Sequence, residues 1–300
     1  MPAAFGETVT VRLALGTAQL GLPYGIVNRT EQPTEAVARQ IVEESWAGGV
    51  EFFDTAQVYG TSEVVLGRCF RDLGIADRVR VVSKLDPATP IDQVESTVLR
   101  SCANLGVPRL WGLLVHSEAL LDCWNGEYGT LMRRLKSSGL TEHLGVSIYS
   151  PQRAAQALDI VDLDVIQVPA NVFDRRMDRS GFLRCAASRG RTVFIRSIYL
   201  QGLAMLNGAS IPLFARDAVS TYATFCREHD VSRRKFAVDY VRHMSAESLM
   251  VIGAELPEQA RENCHLVVDP IVERTMCAEW DRRWPEDQFP LVDPSQWPHG

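Results

Sequence analysis

Short apolar runs rich in β-branched residues alternate along the chain with longer stretches whose apolar positions recur at helical spacing. RLALGTA (12–18) reads as a strand, and TEAVARQIVEESWAGG (34–49) as a helix whose terminal glycine pair suits a C-cap. The couple then repeats. Strand EFFDTA (51–56) precedes helix SEVVLGRCFRDLG (62–74), and strand RVRVVSKL (78–85) precedes helix IDQVESTVLRSCANLG (91–106). LWGLLVH (110–116) leads into YGTLMRRLKSSG (128–139), and HLGVSIY (143–149) into PQRAAQALDI (151–160). VIQVPAN (165–171) is followed by RSGFLRCAASRG (179–190), TVFIRSIY (192–199) by helical stretches at 217–229 and 232–244, and SLMVIGA (248–254) by PEQARENCHLV (257–267).

Eight strand–helix pairs with short connections predict an α/β fold, a (β/α)8 TIM barrel in a single domain spanning residues 1–300. The competing architecture, an open doubly wound sheet, normally carries GxGxxG after its first strand. LGTAQLGLPYG has glycines there, but at other spacings. The tail, 270–300, is rich in Trp, Pro and Asp and reads as an extended segment packing over the barrel.

Charge and composition narrow the partners. Lys and Arg number 31 against 37 Asp and Glu, a net charge of −6 with no dense basic cluster, which argues against a nucleic-acid partner. No apolar run reaches membrane-spanning length, and MPAAFGETVTVR lacks the features of a secretion signal, so a cytoplasmic location is expected. The seven cysteines are scattered without a C-x-x-C pair, which suits reduced thiols and argues against a zinc site; no metal is expected. Nothing in the sequence fixes an oligomeric state.

In such barrels chemistry gathers where the strands end, because the loops there surround one mouth. The second strand ends at Asp54, with Tyr59 just beyond in FFDTAQVYG; the third offers Lys84, and the fourth His116. Ser147, Gln167, Asn171, Arg196 and Ser197 close the next three strands. Singly, each residue has a structural explanation: a solvated lysine, a packed histidine, an Asx-turn aspartate. Three successive strands ending in titratable groups, with a tyrosine beside them, point instead to a proton-transfer site. An ammonium paired to a carboxylate would stay charged and lower the phenol's pKa, and a histidine could orient a carbonyl oxygen. No residue here stores a hydride, so redox chemistry would need a cofactor.

These residues resemble the aldo-keto reductase superfamily, from LGTAQ (15–19) to PEQARENCHLV (257–267). FFDTAQVYG is similar to the family's D-T-A-x-x-Y-G segment, which implies a catalytic tetrad of Asp54, Tyr59, Lys84 and His116. The resemblance implies NAD(H) or NADP(H) as cofactor and a small carbonyl or sugar-type substrate. It assigns cofactor contacts to Gly16, Thr17, Asp54, Ser147, Gln167, Arg196, Ser197, Leu200, Gln201, Gly202, Gly253, Glu255, Glu258, Gln259 and Asn263.

Two departures stand out. Ile148 occupies a position where the family commonly has Asn, and Arg196 stands where many relatives stack an aromatic ring on the nicotinamide. Glu255 would accept from a free ribose 2′-OH and repel a 2′-phosphate, which leans the reading towards NAD(H) or relaxed preference, with Arg261 the residue able to oppose it. Tyr24, Trp124, Phe173, Trp280, Trp284 and Trp297 are candidate walls of the substrate pocket, and Arg175, Arg176, Arg179 and Arg196 would suit an anionic substrate. The alternative functions are a regulatory nucleotide-binding barrel without catalysis and a sugar epimerase that uses redox only transiently.

Overall fold

A computed structural model describes residues 12–25, 32–285 and 290–298. The segment read for a secretion signal and parts of the tail therefore lie outside the described residues. Eight parallel strands close into a barrel in sequence order: β1 (Leu13–Gly16), β2 (Phe52–Asp54), β3 (Arg80–Leu85), β4 (Leu110–Val115), β5 (Thr141–Ser147), β6 (Leu163–Pro169), β7 (Thr192–Arg196) and β8 (Leu249–Gly253). Between and after them run α1 (Ala18–Gly21), α2 (Glu35–Ala47), α3 (Ser62–Leu73), α4 (Val94–Leu105), α5 (Glu127–Ser137) and α6 (Pro151–Leu158). The later helices are α7 (Arg176–Arg179), α8 (Phe182–Ser188), α9 (Arg216–Glu228), α10 (Arg233–Met244), α11 (Pro257–Val268) and α12 (Arg274–Arg283). No helix among the described residues is long and apolar enough to cross a membrane.

Local sequence explains the element boundaries. Thr34, Ser150 and Ser232 cap α2, α6 and α10 by accepting from the amides of Val37, Arg153 and Lys235. Gly74 and Gly106 end α3 and α4 in the left-handed conformation that a side chain would resist. The helix expected over 179–190 is shortened to α8, because Gly181 adopts a φ of 76° just before it; the short α7 precedes that turn. The tail also departs from its reading as an extended segment. Its described part contains α12, whose buried Cys277 and Trp280 lie three residues apart on one helical face. That face packs on the barrel flank against Phe173, Tyr222 and Phe225.

The sheet separates two cores. The larger lies between strands and helices, while a smaller one inside the barrel is made by Ala14, Val82, Leu114, Val165, Phe194 and Leu249. Burial of these apolar surfaces is the main drive to close the barrel. Parallel registers then fix which side chains share a level. Gly16 pairs with both Asp54 and Gly253, Ser147 with Gln167, and Pro169 with Arg196. Side chains alternate along a strand, so these residues face inward above the apolar layer.

Candidate active site

Asp54, at the end of β2, and Lys84, near the end of β3, form a buried ion pair with Nζ–Oδ2 2.7 Å. Lys84 also donates to the Thr55 carbonyl (2.9 Å), and Gln167 from β6 donates through Nε2 to the other Asp54 oxygen (2.7 Å). A buried pair needs such extra partners to offset its desolvation. Lys84 Nζ also lies 5.1 Å from the centre of the Tyr59 ring, and the His116 ring stands edge-on to that ring at 6.0 Å. The structure therefore brings all four expected residues into one place, with Asp54 bonded to lysine and glutamine rather than to tyrosine.

The loop bearing Tyr59 is clamped by glycines. A Cβ on Gly21 in α1 would come within 1.8 Å of the Tyr59 carbonyl oxygen, and one on Gly60 within 2.2 Å of the Gly21 carbonyl oxygen. Thr17 adds a second tie: its hydroxyl donates to the Asp54 carbonyl and accepts from Ser62, each at 2.9 Å.

Burial sets the electrostatics. It raises the Tyr59 phenol above its ordinary range, and the Asp54 charge pushes the same way. The sequence reading has Lys84 lowering this phenol, but Lys84 is neutralised by Asp54, and the cation most opposed to the rise is Arg196. Burial lowers the Lys84 ammonium, a shift that Asp54 counters. Burial, followed by the charges of Lys84 and Arg196, brings His116 down to about 4, so its imidazole is neutral at neutral pH. Tyr24 is pushed up to about 12, chiefly by burial.

A cavity opens above this cluster. Its lining includes Gly16, Thr17, Tyr24, Asp54, Tyr59, Arg196, Ser197, Gln201, Gly202, Gly253, Glu255 and Gln259, all of them expected from the sequence. The fit to a nicotinamide cofactor rests on three observations. Gln167 is fully buried, and its Oε1 has no partner among the described residues. The bond to Asp54 fixes the amide orientation, so this oxygen lacks only a donor such as a carboxamide N–H. Glycines keep the floor low: a Cβ on Gly253 would lie 2.4 Å from Gln19 Nε2. The wall after β7 holds Ser197, Leu200 and Gln201 at φ of 64°, 49° and 53°, a left-handed backbone that non-glycine residues adopt at a cost of about 1 kcal/mol each.

Other expected residues, Gln167, Lys84 and His116 among them, sit behind the lining. Ser147 and Leu200 are buried, Glu258 is exposed at the start of α11, and Asn263 is buried in α11. Asn263 donates to the Gly253 carbonyl (3.3 Å) and accepts from Arg234 (2.7 Å) and the Tyr199 hydroxyl (3.3 Å). Arg234, Tyr199, Gln19 and Met205 line the cavity and were not singled out from the sequence.

Most of the expected aromatic walls lie elsewhere. Phe173, Trp280 and Trp284 form a buried cluster, with Trp280 and Trp284 stacked at 6.3 Å. Trp297 packs on Phe214 and donates to the Leu291 carbonyl (3.1 Å). Trp124 is sealed against the start of α5, where Gly129 admits its backbone. None of these five lines the cavity; Tyr24 does. Among the described residues, no group of three or more His, Cys, Asp and Glu could hold a metal ion.

Comparison with known proteins agrees with the geometry. The model of the Aldo/keto reductase family matches residues 12–281. Pyridoxal 4-dehydrogenase from Microbacterium luteolum is 26% identical, covering 86% of this chain and 89% of its own. D-arabinose 1-dehydrogenase from Saccharomyces cerevisiae is 24% identical over 83% of this chain and 80% of its own. An NADH-specific methylglyoxal reductase from Escherichia coli is 22% identical over 72% and 78%. Among solved structures, the glycerol dehydrogenase of Gluconobacter oxydans superposes with a TM-score of 0.72 at 20% identity, over 93% of this chain and 94% of the other. A closed eight-stranded barrel with an ion pair, a phenol and an imidazole at its mouth thus coincides with a family match over most of the sequence: the chain belongs to the aldo/keto reductase family and is an NAD(P)-dependent oxidoreductase.

Proposed function

We propose that the protein interconverts a small aldehyde, ketone or sugar-type carbonyl and its alcohol, with Tyr59 carrying the proton. The observation that supports this best is the convergence on Tyr59 of the Lys84–Asp54 pair and the His116 ring. When bound, the nicotinamide supplies the hydride for reduction or accepts it in oxidation. Gln167 Oε1 and the glycine floor at Gly16 and Gly253 would hold its carboxamide end, while the strained turn at Ser197–Gln201 and the start of α11 would hold the remainder.

Tyr59 keeps its proton until negative charge develops on the substrate oxygen, because burial and Asp54 hold the phenol protonated. His116, neutral at neutral pH, donates to the same oxygen and orients it. Lys84, paired to Asp54, packs 5.1 Å from the centre of the ring and fixes the phenol in place. Tyr59→Phe is expected to lower turnover of a simple aldehyde by about 10²–10⁴-fold. Fluorescence titration of NAD(P)H should change little; loss of cofactor binding instead of turnover would overturn the assignment.

We infer a preference for NAD(H). Glu255 lines the cavity at the entry to α11, where a carboxylate favours a ribose hydroxyl over a phosphate. Arg261, the residue able to oppose this, is held by both oxygens of Glu44 at 2.6 and 2.9 Å. The relative named as NADH-specific is consistent with this reading. Tighter binding of NADH than of NADPH is expected by direct titration, and a large preference for NADPH would refute it.

A further inference from the structure

Arg196 differs from the other cations of the site. Lys84 is matched by Asp54 at 2.7 Å, and Arg234 by Glu262 at 3.2 Å. No carboxylate among the described residues lies within ion-pair distance of Arg196. Its guanidinium rests 4.1 Å from the centre of the Tyr149 ring, and its two hydrogen bonds, to Ser197 Oγ (3.4 Å) and the Ile148 carbonyl (3.5 Å), are at the limit of useful length. A guanidinium carries five N–H donors in a planar fork. Most of this fork is therefore unspent, and the residue is half-buried in the cavity wall beside Tyr24 and Tyr59.

The surroundings favour an anion there. Lys84 and Asp54 cancel, which leaves Arg196 as the net charge beside the phenol. Of the other acids, Asp86 accepts from the Ala88 amide (2.9 Å) and does not line the cavity, while Glu255 lines it at the entry to α11 and makes no ion pair with Arg196. Tyr24 keeps its proton, being pushed up to about 12, and offers a second donor from the same cavity lining. The Tyr149 ring braces the guanidinium plane, so the fork is oriented before anything binds. The other arginines that might have served are used internally: Arg175 bonds Asp281 (2.7 Å), Arg176 bonds Asp174 (2.8 Å), and Arg179 bonds the Pro285 carbonyl.

We propose that Arg196, braced on Tyr149, anchors a carboxylate or phosphate group carried by the carbonyl substrate itself, so that the enzyme acts on acidic aldehydes, ketones or sugars. This rests on the carbonyl reading above for the position of the substrate. The test compares kcat/KM of the cofactor-loaded enzyme for succinic semialdehyde against butyraldehyde, and for glyceraldehyde 3-phosphate against glyceraldehyde. The charged member of at least one pair should be preferred by about tenfold or more, the effect of one charge-assisted fork, mostly through KM. Which pair responds distinguishes carboxylate from phosphate. The preference should collapse towards unity in Arg196→Gln and survive in part in Arg196→Lys, which keeps the charge without the fork.

An unchanged ratio in Arg196→Gln overturns the proposal, as does a wild type with no preference in either pair. A variant that loses NADH or NADPH affinity while keeping the ratio would assign Arg196 to the cofactor's phosphates and overturn it equally. Succinate and inorganic phosphate, titrated by calorimetry into the NADH-loaded protein, read the anchor without turnover. Binding of either that is lost in Arg196→Gln supports the anchor, and its absence in the wild type counts against it. If no aldehyde is reduced while such an anion still binds through Arg196, the carbonyl reading fails and the anion site stands.

Discussion

The two ends of the barrel interior are built from the same strands and do opposite things. Towards the N-terminal end, Phe52, Trp111 and Phe194 close the interior with edge-on and tilted ring contacts of 4.9 to 6.0 Å. Towards the C-terminal end β2, β3, β6 and β7 present Asp54, Lys84, Gln167 and Arg196. Each strand makes the change in a single inward step of two residues: Phe52 to Asp54, Val82 to Lys84, Val165 to Gln167, Phe194 to Arg196. Two residues of strand rise by about 6.6 Å. A rigid apolar plug therefore stands directly beneath a cluster of charges, and the plug is what keeps those charges dry and fixed.

Removing a charge should break the comparison most severely. Lys84→Met leaves Asp54 buried with Gln167 as its remaining side-chain partner. We expect turnover to fall by about 10³-fold or more and the protein to lose about 3–5 kcal/mol of stability, measured by steady-state kinetics and urea denaturation. Cutting the plug tests the opposite end. Phe194→Ala should cost about 3–4 kcal/mol of stability in the same denaturation assay while the affinity for cofactor changes far less. Equal losses of stability and cofactor affinity would mean that the two ends are not separable.

The pH dependence sharpens the contrast more gently. His116 stands at about 4 in the folded protein against an ordinary 6.5. Above 6.5 both states hold the imidazole neutral; between 6.5 and 4 only the unfolded chain takes up the proton, so stability falls as pH falls. The loss attributable to His116 approaches roughly 3 kcal/mol at most by pH 4. It should appear as the difference between the wild-type and His116→Gln denaturation midpoints across that window. The smallest effect belongs to the floor: Gly253→Ala should weaken NADH binding by about tenfold, or 1.4 kcal/mol, by crowding Gln19 where the ligand must lie close.

The sequence made the inner steps legible because they combine a period of two with a change of chemistry that recurs strand after strand. The barrel and the titratable residues at the strand ends could be read in that way, while the expected cavity lining came from the family resemblance. Side chains that act through a partner could not. Arg234 sits in the run RRK at the start of α10, and nothing in that run says which arginine reaches Asn263, twenty-nine positions on. The tryptophans of the loops and tail failed for a related reason: an aromatic in a connection has no period to reveal its facing. A signal was present in the tail, since Cys277, Trp280 and Trp284 recur at helical spacing, but its Trp, Pro and Asp content led the reading towards an extended chain.

The glycines that press α1 against the Tyr59 loop have a further consequence for how this site can change. The carbonyl of Tyr59 and the backbone of Gly21 are in contact with no side chain between them, so the Tyr59 phenol belongs mechanically to the first strand–helix unit, whose Gly16 and Thr17 also line the cavity. The loops around the mouth can vary without moving the Tyr59 phenol relative to that unit. A chimera that imports a foreign loop after β2 would inherit a new Tyr59 without its clamp, and should be a poor catalyst until its own first helix is imported with it.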